Sequence, residues 1–233
     1  RIFRLKEHEA LINRMGFNNE GMQAMAGRLR ELEWRPAPIG VNLGKNKETP
    51  NEDAVYDYVS LVDVFSRYAD YLTINISSPN TVGLRELQGR AALEKLLAHI
   101  HQQRLVSQTY HEKRLPILVK LAPDLTDAEL DDAIEAILQA KMDGIIVTNT
   151  TLAREGLKSV LRGETGGLSG SPLAVKSEAV LHRTLKQVNG AVPIVSAGGI
   201  MSPDDAKRRL EMGAALVQVY TGLIYRGPGL VQE

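Results

Sequence analysis

Short apolar runs, each ending in polar or glycine residues and each followed by a helical stretch, recur along the chain. They fall at residues 39–43, 71–76, 116–121, 144–148, 193–197 and 215–219. Most are continuous in Val, Ile and Leu and do not alternate with polar residues, the pattern of parallel strands covered on both faces. Between them the helix signals are local. Thr126-Asp127-Ala128-Glu129 reads as a capping box ahead of Leu130, Ile134, Ile137 and Leu138. Thr49-Pro50-Asn51-Glu52 and Ser202-Pro203-Asp204-Asp205 put Pro at the first helical position with acids behind it, while Asn189-Gly190 and Gly213 read as stops. Alternating strands and helices allow a closed (β/α)8 barrel or an open doubly wound sheet. A dinucleotide-binding sheet would show GxGxxG between a strand and a helix, and none is present. Instead the strand ends carry Asn42 and Gly44, Asn75 and Ser78, Lys120, Thr148 to Thr150, Gly198 and Gly199, and Tyr220 with Thr221. Barrel enzymes build their sites at that face. The expectation is a single α/β domain over residues 1–233, about the last six βα units of a (β/α)8 TIM barrel, with the first two N-terminal units absent.

Composition narrows the partners. The 233 residues include 28 basic and 28 acidic side chains, so the formal charge is zero. That argues against broad attraction to nucleic acid or to anionic lipid. No run approaches the roughly 18 apolar residues of a membrane span, and no signal peptide is recognisable. The chain starts at Arg1 and not at Met, which reads as a removed start or a fragment. It has no Cys, so disulfides, thiolate metal sites and a cysteine base are excluded within these residues. His99 and His101 are two apart on one helix and face different ways, and His8, His111 and His182 have no partners at ligand spacing, so no metal is expected. Asp131-Asp132 and Asp204-Asp205 read as solvated first-turn acids, and residues 110–114 as a polar connection.

The densest chemistry lies in Asn75-Ile76-Ser77-Ser78-Pro79-Asn80, which by itself could be a turn closing a strand. Together with Asn13-Arg14-Met15-Gly16-Phe17 and Thr148-Asn149-Thr150-Thr151, it makes the chain resemble the dihydroorotate dehydrogenase family, in its quinone-dependent class. The resemblance implies oxidation of dihydroorotate to orotate in pyrimidine biosynthesis, with a base taking the C5 proton, hydride leaving C6 for flavin N5, and electrons passing through FMN to a quinone. Ser78 then takes the place of the base, and Thr81 and Phe17 that of the proton path. The family's other class carries a cysteine base on the same loop, which this sequence cannot supply. Substrate contacts implied are Asn13, Arg14, Met15, Gly16, Phe17, Asn75, Asn80, Asn149 and Thr150. Flavin contacts implied are Asn42, Asn75, Lys120, Thr148, Gly170, Gly199, Tyr220 and Thr221, with Lys120 near flavin N1 and O2.

Glycine-containing segments at 197–200 and 165–170, with Tyr220-Thr221-Gly222, suggest a phosphate on backbone N–H groups after the last strands. The resemblance makes that phosphate the one of FMN. It further implies a monomer attached peripherally to the inner membrane, on the cytoplasmic side if bacterial and mitochondrial if eukaryotic, through an N-terminal segment not in this chain. Without upstream βα units, residues 1–233 alone are expected to be poorly soluble and to hold little FMN. Two rival readings are another FMN barrel, such as a 2-hydroxy-acid oxidase, and a non-catalytic barrel binding a phosphorylated ligand. The first needs a catalytic His at a strand end, and none is found there. The second leaves Ser78, Lys120 and the Asn set without purpose.

Overall fold

In the computed structural model, which describes all 233 residues, the chain opens with an antiparallel hairpin of β1 (Ile2–Leu5) and β2 (Ala10–Asn13). After α1 (Met22–Arg30) strands and helices alternate as β3 (Gly40–Leu43), α2 (Ala54–Phe65), β4 (Tyr71–Asn75), α3 (Arg90–His111), β5 (Ile117–Leu121), α4 (Asp127–Gln139) and β6 (Gly144–Val147). Then follow β7 (Gly167–Gly170), α5 (Ala174–Val188), β8 (Ile194–Ala197), α6 (Pro203–Glu211), β9 (Leu216–Gln218) and α7 (Thr221–Arg226). The six apolar runs become one parallel sheet in the order β3-β4-β5-β6-β8-β9, with β3 and β9 at its edges. This is the six-unit half-barrel of a (β/α)8 architecture, as the repeating pattern implies.

Burial explains why these runs pair in parallel. Leu72 and Ile74, Ile117 and Val119, and Ile145 and Val147 turn outward under the helices, where they meet Tyr58, Val62 and Phe65 of α2, the Leu93–Leu97–Ile100 face of α3, and Ile134 and Ile137 of α4. The opposite strand face carries only a small cluster around Ile146, Val195 and Ala197, with Leu118 packed on it. The next inward residue of β5 beyond Leu118 is Lys120, where the apolar lining gives way to the site. The caps behave as their sequences specify. Thr126 and Glu129 complete a capping box on α4, Ser202 and Asp205 complete one on α6, and Asn189 ends α5 in the left-handed region.

Three local readings change. Residues 165–170 are not simply a glycine-rich loop, since Gly167–Gly170 form β7 and pair antiparallel with β2, completing a three-stranded sheet over the strand ends of the half-barrel. Its glycines allow close approach: a Cβ at Gly167 would strike the Thr150 side chain, and one at Gly170 the Glu9 carbonyl. Pro50 does not open α2. Its ψ of 156° is extended and so lies outside the helix, and it precedes a 3-10 turn over Asn51–Asp53 that leads into α2. The acidic pairs are also not merely solvated: Asp131 binds Arg183, Asp132 binds Arg90, and Asp205 closes its capping box.

Candidate active site

A cavity of about 420 Å³ lies between the C-terminal ends of the parallel strands and the β2–β7 edge of the smaller sheet. That is within the usual range for small-molecule sites. No histidine, aspartate or glutamate lines it, and Lys120 is its only charged side chain.

The β4 loop supplies the first wall. Asn75 is 2% exposed at the end of β4. Its carbonyl accepts from the Tyr58 hydroxyl at 2.8 Å, fixing the strand end to α2. Its Oδ1 accepts from Ser77 N–H at 3.2 Å, Ser77 Oγ at 3.0 Å and Asn149 Nδ2 at 3.3 Å, which leaves the Asn75 Nδ2 donor for a ligand. Ser78 is 6% exposed and lines the cavity. Its Oγ accepts from Asn80 N–H at 3.2 Å, so the hydroxyl proton is not committed to that bond. Asn80 reaches across to donate to Asn13 Oδ1 at 3.2 Å, joining the β4 loop to the end of β2. Opposite them Asn149 donates to Ser77 Oγ at 2.9 Å while its Oδ1 accepts from Thr150 N–H at 2.8 Å. Neutral amides thus orient one another, and none brings charge into the site.

Lys120 projects from β5 and donates to Gln218 Oε1 of β9 at 2.9 Å. Burial removes water from its ammonium and pushes its pKa down from 10.5 to about 8. On the β8 and β9 side, Gly198, Gly199, Tyr220 and Thr221 line the cavity, and Thr221 donates to Ser169 Oγ of β7 at 2.9 Å. Gly199 has φ +73°, and a Cβ there would enter the Ala174 backbone, so the turn requires glycine.

Of the residues expected at the site, Asn13, Met15, Gly16, Phe17, Asn42, Asn75, Ser78, Asn80, Lys120 and Thr148 to Thr150 line this one cavity, as do Gly170, Gly199, Tyr220 and Thr221. Two do not. Thr81 is buried but stands off the cavity wall. Arg14 points away, donating to Glu164 Oε2 at 2.7 Å with its guanidinium over the Phe3 ring, because a carboxylate and an aromatic face offer it more than the cavity rim does.

Residues behind the wall were not foreseen. Arg85, in a 3-10 turn over Leu84–Gln88, donates to the Ser77 carbonyl at 3.0 Å, the Thr150 carbonyl at 2.8 Å and Asp124 Oδ2 at 2.8 Å. Asp124 also accepts from Lys176, Thr151 Oγ1 and Leu152 N–H. Burial by itself would raise the Asp124 pKa, but these hydrogen bonds from Lys176, Thr151, Leu152 and Arg85 outweigh it and hold the carboxylate at about 2. Gln218 was missed as well, although a polar residue between two valines in an apolar run was a usable signal.

All 233 residues match the family model described as dihydroorotate dehydrogenase. The chain is 48% identical over 234 residues to a dihydroorotate dehydrogenase (quinone) of Halorhodospira halophila, covering 100% of this chain and 68% of that protein. It is 51% identical to the protein of the same name from Anaeromyxobacter dehalogenans, covering 99% of this chain and 63% of that one. The crystal structure of ligand-free DHODH from Eimeria tenella superposes with a TM-score of 0.92 at 41% identity, over 100% of this chain and 69% of that one. The chain therefore spans about two thirds of the length of these relatives.

Proposed function

The chain belongs to the dihydroorotate dehydrogenase family, and we propose that its cavity oxidises dihydroorotate to orotate in pyrimidine biosynthesis, holding FMN and passing electrons to a quinone. The observation that carries this reading is the convergence of Ser78, six Asn side chains and Lys120 on one cavity that no carboxylate faces. Both ligands are anions, one a carboxylate and one a phosphate ester, and such a lining repels neither.

The residues fit FMN. The Gly198–Gly199 turn and Thr221 offer backbone N–H donors to a phosphate, and Asn42, Asn75 and Thr148 offer polar atoms to a flavin ring. Lys120 would place a cation where reduced flavin gathers negative charge. When bound, FMN supplies the hydride acceptor.

The chain's own residues do the rest. Asn13, Asn75, Asn80 and Asn149 hold the pyrimidine by hydrogen bonds, which discriminate strongly because an unpaired partner is costly. Ser78 takes the C5 proton. A neutral hydroxyl is a poor base, so its own proton must leave as the new one arrives. No His or carboxylate is in the cavity to receive it, and water leading toward Thr81 is the exit. Phe17, on the cavity wall, shields that path from bulk solvent. The quinone acceptor is lipid-soluble, which supports peripheral attachment to the inner membrane, on the cytoplasmic side in a bacterium, through a segment outside these residues. No helix here is long and apolar enough to cross a membrane. A monomer is the simplest assembly for such a site.

Stopped-flow flavin reduction on the full-length protein tests this. In Ser78→Ala, reduction by dihydroorotate should be lost while FMN and orotate still bind, and Ser78→Cys should keep a small, pH-shifted rate. Ubiquinone analogues should reoxidise the wild-type flavin, and fumarate and NAD should not. Near-normal reduction in Ser78→Ala would remove serine as the base.

A further inference from the structure

Arg209 is the largest fully buried side chain in the protein, at 0% exposure, and no step above uses it. It enters from α6 and spreads beneath the Gly198–Gly199 turn. Its Nη2 donates to the Gly198 carbonyl at 3.2 Å, the Ala174 carbonyl at 3.1 Å and Ser177 Oγ at 2.8 Å, and its Nη1 donates to Ser196 Oγ at 3.3 Å. Ser177 in turn donates to the same Gly198 carbonyl at 2.7 Å, so two donors converge on one oxygen. Glu178 meets the guanidinium from the Nε side at 3.2 Å and is shared with Arg208. The positive group therefore stands between a carboxylate on one side and the glycine turn on the other.

Burying a guanidinium costs several kcal/mol before its partners compensate, and packing alone would be met more cheaply by an apolar side chain. The peptide geometry shows what the arrangement does. In a planar trans peptide C=O and N–H point in opposite directions. Pinning the Gly198 carbonyl back onto Arg209 and Ser177 therefore turns the Gly199 N–H outward, on the side where Gly198 and Gly199 line the cavity.

We propose that Arg209 is a positioning residue for the anionic end of the cofactor. It locks the Gly198–Gly199 peptide so that its N–H is presented to a phosphate and, through one layer of backbone, adds its own charge. This rests on the FMN reading above, since it concerns the phosphate and not the ring. Lysine at this position would keep the charge but reach fewer acceptors.

The test compares FMN with riboflavin, which lacks the phosphate, on full-length apoprotein by flavin fluorescence quenching. Wild type should bind FMN much more tightly than riboflavin. Arg209→Met should cut that ratio about tenfold, the loss expected when a charge-assisted hydrogen bond is removed, with riboflavin affinity unchanged. Arg209→Lys should recover part of the ratio. Equal losses for both flavins would show that Arg209 only holds the fold, and would overturn the proposal. Should Arg209→Met fail to fold, Ser177→Ala removes the second donor from the Gly198 carbonyl. A lowered FMN preference in that variant supports the assignment, and an unchanged one overturns it. A wild type that binds riboflavin as well as FMN would overturn the FMN reading itself, and the role of Arg209 with it.

Discussion

Replacing Lys120 with Met should make the protein without flavin more stable, even though the lysine is at the centre of the proposed site. Its folded pKa is about 8 against 10.5 for a solvated lysine. At 1.36 kcal/mol per unit this is about 3 kcal/mol of unfavourable burial for the charged form. Water entering by the cavity mouth screens part of it, so about 2 kcal/mol is the figure to expect. Methionine has similar length, and Gln218 Oε1, which loses its donor, can turn to water in the open cavity. The sign follows from linkage. A lysine whose folded pKa is depressed destabilises the fold fully below pH 8, and that effect fades as pH rises from 8 to 10.5, where the folded state has shed its proton and the unfolded state has not. Lys120→Met apoprotein should therefore unfold at higher denaturant than wild type at pH 7, and the gap should close toward pH 10.5. In the same variant, flavin reduction should slow sharply if Lys120 is, as proposed, the cation that stabilises reduced flavin. A Lys120→Met apoprotein that is less stable than wild type at pH 7, or a gap that ignores pH, would refute the picture of a desolvated cation.

The brace behind the wall gives two further expectations. Arg85→Met frees the Ser77 and Thr150 carbonyls, so flavin reduction should slow on the order of 100-fold through misplacement of the reacting groups, with FMN content retained; unchanged stopped-flow rates would mean that the loops hold themselves. Asp124 sits at about 2 against 3.8 for a free aspartate, so its ionised form contributes about 2 kcal/mol that is present above pH 4 and lost as pH falls toward 2. Acid unfolding should show that loss in wild type and not in Asp124→Asn, and matching curves for the two would count against it.

What could be read from the sequence was what is local in it. A polar residue closing an apolar run marks a strand end, so the residue order alone makes Asn75, Lys120 and Thr148 legible as neighbours in space. Capping boxes span four residues, and the one at Thr126–Glu129 was legible for that reason, whereas at Ser202–Asp205 only the Pro and the acids behind it stood out and the structure adds the box. Arg85 and Asp124 are 39 residues apart, Asp124 and Lys176 are 52 apart, and nothing in the composition of either segment announces its partner. Arg14 shows the same limit from the other side. Its position suggested a substrate contact, yet its partner Glu164 is 150 residues away. The β2–β7 pairing escaped because Gly167–Gly170 has the composition of a loop. Only the collision a side chain would make with Thr150 or Glu9 explains glycines in a strand.

Every carboxylate near the site stands one layer behind the cavity wall, and this ordering has a chemical consequence. Asp124 anchors Arg85 and Lys176, and Glu178 anchors Arg208 and Arg209, so the acids act on cations and not on the ligand. The cations then act on backbone: Arg85 on the Ser77 and Thr150 carbonyls, Arg209 on the Gly198 carbonyl. What reaches the cavity is therefore a set of amides and hydroxyls that orient one another, on loops whose backbone carbonyls are held from behind by ion-paired cations. Had Asp124 or Glu178 faced the cavity, an anionic ligand would have met direct repulsion at low dielectric. Had the rear cations been absent, the amide wall would have had to order itself on binding, at the expense of affinity. Lys120 is the exception to this arrangement, the one charge that faces the cavity, and the FMN reading proposes it as the cation for reduced flavin.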